Sequence, residues 1–100
     1  MGPCVALADG VDLEDIDVRT TVSGEVMQES NTRDLIFSIV ELIVYLTAGM
    51  TLEPGDVIAT GTPSGVGDGR TPPRYLREGD VVEVSVGGVG DLSNPVTLER

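Results

Sequence analysis

The sequence predicts a mainly β domain with one packed helix, an α+β arrangement, and three observations predict it. Short β-branched runs recur between Gly- and Pro-containing turns, the pattern of half-buried strands. A single stretch, about Arg33 to Ala48, is long and apolar enough for a helix. The 100 residues, 40% hydrophobic, suit one small domain over residues 1–100 with a modest core. Aromatics make up only 3% and Trp is absent, so that core must rest on Val, Leu and Ile.

Val5-Ala6-Leu7-Ala8 is predicted as a short strand ending at Asp9-Gly10. Val11 to Asp17 is an acidic connection carrying Asp12, Glu14, Asp15 and Asp17. It lacks the ligand register and central Gly of a calcium loop and is taken as solvated. Val18 to Val22 alternates and is β-branched. Ser23-Gly24 then turns the chain, and Glu25 to Gln28 returns as the second strand of a hairpin.

Asn31-Thr32-Arg33-Asp34 supplies an N-cap, with Thr32 as a capping residue, and an acidic first turn for the helix. Asp34, Ser38, Glu41 and Tyr45 form one polar stripe, and apolar residues cover the remaining circumference. Such a helix is expected to be buried on most sides, with Glu41 facing solvent or an interface. Gly49 provides the stop.

Leu52-Glu53-Pro54-Gly55-Asp56 must turn, since Pro fixes φ and Gly tolerates φ > 0. Val57-Ile58-Ala59 reads as a buried strand, followed by the Thr60–Gly67 loop. Leu76 to Val82 echoes Leu52 to Ile58, which is explained by two strand-entry turns of the same Gly-Asp chemistry. Val82, Val84 and Val86 alternate with Glu83 and Ser85 as a half-exposed strand. Gly87 to Gly90 turns it back toward Leu92 to Leu98, where Asn94-Pro95 marks an edge strand.

The net charge of −11 argues against nucleic acid and anionic membrane as partners, because both need a basic face. No apolar run reaches the ~18–20 residues of a membrane span, and no signal peptide is recognisable, so the cytoplasm is the expected location. All six basic residues are Arg. An acidic, Lys-free composition suits molar salt, where the Debye length falls to about 3 Å and self-repulsion fades, so a halophilic protein is expected. Cys4 is the single cysteine and His is absent, which removes internal disulfides and argues against structural zinc; Cys4 is expected to be packed.

Thr60-Gly61-Thr62-Pro63-Ser64-Gly65-Val66-Gly67 combines hydroxyls with amides that glycine leaves uncovered. No Gly-Lys-Ser/Thr follows, so it is no nucleotide-binding P-loop. Thr60, Thr62 and the neighbouring N–H groups could hold a carboxylate or a developing oxyanion. They could equally satisfy the loop's own backbone groups. Arg70 and Arg74 could attract an acidic substrate or pair with the acidic surface. Arg74 lies in a Pro-Pro-Arg-Tyr segment expected to be rigid and exposed.

The stretch Leu52 to Gly67 closely resembles the signature of the fumarylacetoacetate hydrolase family. Met1-Gly2-Pro3, Gly24 to Gln28, Asn31 to Ser38 and Gly79 to Val84 resemble family segments in family order, so nearly the whole chain is covered. The resemblance implies a fragment of a mixed β-sandwich roll, the C-terminal part of a catalytic domain. It also implies an enzyme that hydrolyses, isomerises or decarboxylates 2-oxo, diketo or acylpyruvate-type acids with Mg2+ or Mn2+, as a homodimer. Thr62, with Gly61 and Thr60, would bind the substrate carboxylate. Gln28 would brace the hairpin or a loop. The family's Glu-x-Glu pair, Asp and Lys, and the His base of hydrolytic members, lie upstream of the Gly2-Pro3 match. This chain is therefore expected to hold no metal ligand or catalytic residue and to be inactive alone. The alternative is a non-catalytic β module that binds a partner or complements a separate N-terminal half.

Overall fold

The computed structural model describes residues 1–100. Its framework is one antiparallel sheet of four strands: β1 (Asp17–Val22), β2 (Glu25–Asn31), β3 (Val81–Val86) and β4 (Gly90–Pro95), in the order β2-β1-β3-β4. Ser23 (φ 50) and Gly24 (φ 84) make the β1–β2 turn, the left-handed pair that matches the twist of a tight hairpin. Val18, Thr20 and Val22 pair with Val86, Val84 and Val82, so the alternation predicted for β3 lies on one face beside β1. The strand β4 sits at the edge but spans Gly90–Pro95 rather than Leu92 to Leu98, because Pro95 has no N–H with which to continue the ladder.

The hairpin register contains one irregularity that matters for the site. Thr20 pairs with Gln28 but Thr21 pairs with Val26, so Met27 is an extra residue in β2. Such a bulge bends its strand and leaves one residue without a ladder partner. Met27 is among the few buried side chains, with Ile16, Val22 and Asp80.

The helix differs from its sequence expectation at its start. Thr32–Asp34 is a separate 3-10 turn capped by Asn31, and α1 proper spans Ile39–Thr47. Leu35 is extended (φ −60, ψ 136), which breaks the helical path. Ser38 then caps α1: its Oγ accepts from Glu41 N at 3.2 Å, and Glu41 Oε2 accepts from Ser38 N at 2.8 Å. This is a reciprocal capping box. Asn31 rather than Thr32 is the first cap; the Thr32 hydroxyl instead accepts from Ile16 N at 2.9 Å.

The expected burial of the helix is also corrected. None of its residues is buried: Ile39, Leu42 and Leu46 are half-covered, while Val40, Ile43, Val44 and Tyr45 are exposed. No strand packs extensively against α1, so most of its apolar circumference is left uncovered by the chain. Val5–Ala8 and Val57–Ala59 form no strands, because neither finds a partner strand in the four-stranded sheet. Residues Ala8–Gly10 make a 3-10 turn instead. Cys4 is exposed rather than packed, its Sγ lying 3.4 Å from Val89 O.

Only four of the 100 residues are buried, and the accessible surface is 7744 Å2. A folded monomer of 10.5 kDa is expected to expose about 5,400 Å2. The Cα radius of gyration is 15.6 Å, against about 13 Å for a compact domain of this length. The chain therefore exposes more surface, and is more extended, than a compact domain of its length. No helix is long and apolar enough to cross a membrane.

Candidate carboxylate-binding site

The loop that carries Thr60, Gly61 and Thr62 starts after the Glu53–Asp56 turn. There Asp56 N donates to Glu53 O at 3.0 Å and Glu53 N donates to Asp56 Oδ2 at 2.8 Å. Gly61 adopts φ 112, a conformation that L side chains rarely take. The loop is then fastened to the bulged strand β2 at several points. Gln28 Nε2 donates to Thr62 Oγ1 and to Pro63 O, both at 2.8 Å. Arg70 Nη2 donates to Met27 O at 2.9 Å, and Arg70 Nε donates to Gly65 O at 3.3 Å. A Cβ on Gly65 would lie 2.0 Å from Met27 O, so only glycine permits this approach. Gly67 is held similarly against Arg74, whose N–H donates to Gly67 O at 2.8 Å. The two glycines thus serve contact between backbones rather than ligand approach.

Thr60, Gly61, Thr62 and Pro63 line one side of a cavity of about 550 Å3. Leu35, Ile36, Phe37 and Leu42 provide its apolar wall, and Ser30 to Thr32 with Asp34 its polar end. Thr60, Gly61 and Thr62 thus lie on a single surface. The wall residues Leu35 to Phe37 were not anticipated as site residues. Their only signal is three apolar residues in a row between two capping motifs, too long for a turn and off the helical stripe.

Charge in the cavity is one-sided. Asp34 is its only ionisable lining residue, and its Oδ2 is engaged by Asn31 N at 3.3 Å and Ser30 Oγ at 3.1 Å. Neither Arg70 nor Arg74 reaches it. Arg70 has a further partner in Glu25 at 3.6 Å. Arg74 is half-buried rather than exposed and pairs with Asp80 at 2.7 Å. Both arginines are structural ties. The Asp80 carboxyl is pulled down to about 2, chiefly by hydrogen bonding from Arg74, then by the Arg77 N–H and the Ser23 hydroxyl.

No three acidic or cysteine side chains converge, so the residues present do not build a divalent-metal site. The arrangement sets the hydroxyl-bearing Thr60 and Thr62, with Gly61 between them, in one cavity with an apolar wall.

Residues 1–97 match the family described as fumarylacetoacetate (FAA) hydrolase C-terminal. Oxaloacetate tautomerase YisK of Bacillus subtilis is 50% identical over 97 residues, covering 96% of this chain and 32% of that protein. The solved fumarylacetoacetate hydrolase of psychrophilic Exiguobacterium antarcticum superposes with a TM-score of 0.94 at 46% identity. That match covers 98% of this chain and 35% of that one. Maleylpyruvate hydrolase of Sphingobium sp. SYK-6, solved in complex with manganese(II) and pyruvate, gives a TM-score of 0.83 at 39% identity, over 94% of this chain and 33% of that one. The chain spans about a third of the length of the relatives it matches.

Proposed function

The chain belongs to the fumarylacetoacetate hydrolase family, and on that premise we propose that it is the C-terminal segment of a divalent-metal-dependent enzyme acting on 2-oxo or acylpyruvate-type acids, by hydrolysis, decarboxylation or keto–enol isomerisation. The support is the meeting of Thr60, Gly61 and Thr62 with an apolar wall in one cavity. A small 2-oxo acid has that bipartite character. Its carboxylate accepts from the Thr62 hydroxyl and the loop N–H groups, and its carbon skeleton lies along Leu35 and Phe37.

Donors alone do not balance an anion beside Asp34 in a chain of net charge −11. The missing positive charge is assigned to Mg2+ or Mn2+ held by residues outside this chain. Such an ion would supply positive charge for the bound anion and for a developing enolate. The chain's own task is to bind and orient the carboxylate. The unpaired apolar circumference of α1 and the excess accessible surface support the same division of labour, since both need a second protein wall. The complete enzyme is proposed as a homodimer, and its acidic, Lys-free surface as an adaptation to high salt.

The test compares the 100-residue chain with the same chain joined to the upstream two-thirds of the protein. Both are assayed with Mn2+ for oxaloacetate tautomerisation and acylpyruvate hydrolysis. The chain alone is expected to show no turnover. The complete protein is expected to turn over one of these acids, to lose activity to a chelator and to elute as a dimer. Turnover by the isolated 100 residues would overturn the segment reading, and activity that survives metal removal would overturn the metal requirement.

A further inference from the structure

Gln28 stands on β2, directly opposite Thr20, and its amide reaches across to the loop that carries Thr62. Its nitrogen lies 2.8 Å from both Pro63 O and Thr62 Oγ1. Pro63 O is a carbonyl and can only accept, so the NH2 end of the amide must face the loop. An NH2 group has two hydrogens. One goes to Pro63 O and the other to Thr62 Oγ1, which is therefore an acceptor in that bond.

The consequence concerns the one hydrogen Thr62 owns. A hydroxyl that accepts from Gln28 keeps its own O–H free, and that hydrogen cannot point back at the NH2 group. The cavity side, where Thr62 lies with Thr60 and Gly61, is open to it. We propose that Gln28 is a positioning residue that holds the Thr62 hydroxyl as a hydrogen-bond donor toward the substrate carboxylate. This rests on the function proposed above and names the residue that sets the polarity of its binding site.

The bulge at Met27 explains how Gln28 can do this. The extra residue re-aims β2 next to Gln28, and Arg70 and Gly65 clamp the same loop through Met27 O. Loop position is thus secured by contacts besides the Gln28–Pro63 bond, and the second N–H of the amide is left to the Thr62 hydroxyl.

Gln28→Met keeps length and volume but removes the donor. In the active form of the protein it should raise KM about tenfold and change kcat by less than about twofold, the scale of one oriented hydrogen bond to a charged group. If Gln28 acts through Thr62, the same change in a Thr62→Val background should add nothing, whereas in a Thr62→Ser background it should again cost about tenfold. Equal losses in all three backgrounds would mean that Gln28 merely braces Pro63, and would overturn the proposal; so would an unchanged KM. Inactivity of the complete wild-type protein would sink the function instead. The geometry is then read by 15N NMR of the Gln28 side-chain amide in the same active protein. Thr62→Val should shift one of its two protons, and unchanged resonances would overturn the role assigned to Gln28.

Discussion

Arg74 and Asp80 form the most enclosed ion pair of the chain, with Nη2 2.7 Å from Oδ1 and 2.8 Å from Oδ2. The same carboxylate accepts from Ser23 Oγ at 2.9 Å and Arg77 N at 2.8 Å. One buried Asp therefore joins the β1–β2 turn, the entry to β3 and the segment that follows the glycine loop. The Gly79-Asp80 pair, legible as turn chemistry, is also the knot that holds the loop's far end.

This knot predicts an acid limit. Asp80 titrates at about 2 in the fold against an ordinary value of 3.8, a depressed folded-state pKa. Its contribution to stability is therefore complete above about pH 4 and is lost as pH falls from there through about 2. Urea midpoints measured from pH 6 down to pH 2 should drop across that window, and Asp80→Asn should flatten the drop while lowering the midpoint at neutral pH. An unchanged pH profile in Asp80→Asn would show that another carboxylate sets the limit.

Gly65 is predicted to be irreplaceable for a backbone reason. It has φ 105, and a Cβ there would meet Met27 O at 2.0 Å. Gly65→Ala should cost about 1–3 kcal/mol from the conformation alone, before the clash is relieved. Gly10 has no atom near its Cβ position and no positive φ. Gly10→Ala should stay within about 0.5 kcal/mol of the wild type. Thermal melts of the two variants side by side decide the matter; equal melting temperatures would refute the close approach.

Ser38 should prove to be the true start of the helix. Ser38→Ala removes the acceptor for Glu41 N and should cost about 1 kcal/mol, visible as lost helical circular dichroism and a lower melting temperature. Glu41 titrates below its ordinary value because it accepts from the Ser38 N–H and hydroxyl. Its half of the cap is thus present at neutral pH and weakens as acid protonates it. Thr32→Ala, by contrast, should leave helicity unchanged while loosening the Ile16 contact.

Salt should stabilise the chain. A net charge of −11 on 100 residues without Lys repels itself in dilute buffer, and molar KCl shortens the Debye length to about 3 Å. The melting temperature should rise between 0.1 M and 2 M KCl. Insensitivity to salt over that range would remove the halophilic expectation.

The hairpin, the β3 alternation and the edge strand were readable in advance, because each is set by neighbours within a few residues: Ser23-Gly24, Val82 to Val86, Asn94-Pro95. Val57–Ala59 and Val5–Ala8 misled for the opposite reason. An apolar run becomes a strand only if another strand offers its hydrogen bonds, and local composition does not report that. The α1 start was legible in principle, since Ser38-Ile39-Val40-Glu41 is a capping box, but the continuous apolar pattern upstream masked it.

For the site, sequence alone determined the turn, the glycines and the pair of threonines, because short-range backbone chemistry dictates them. Tertiary structure decided what they face. The reach of Gln28 to Thr62 and of Arg70 to Met27 O joins residues more than thirty positions apart, and Arg74 is taken up by Asp80, which is itself tied to Ser23 far back in the chain. A side chain's chemistry is written in its residue type, but whether a hydroxyl donates or accepts is set by the neighbour that the fold brings to it.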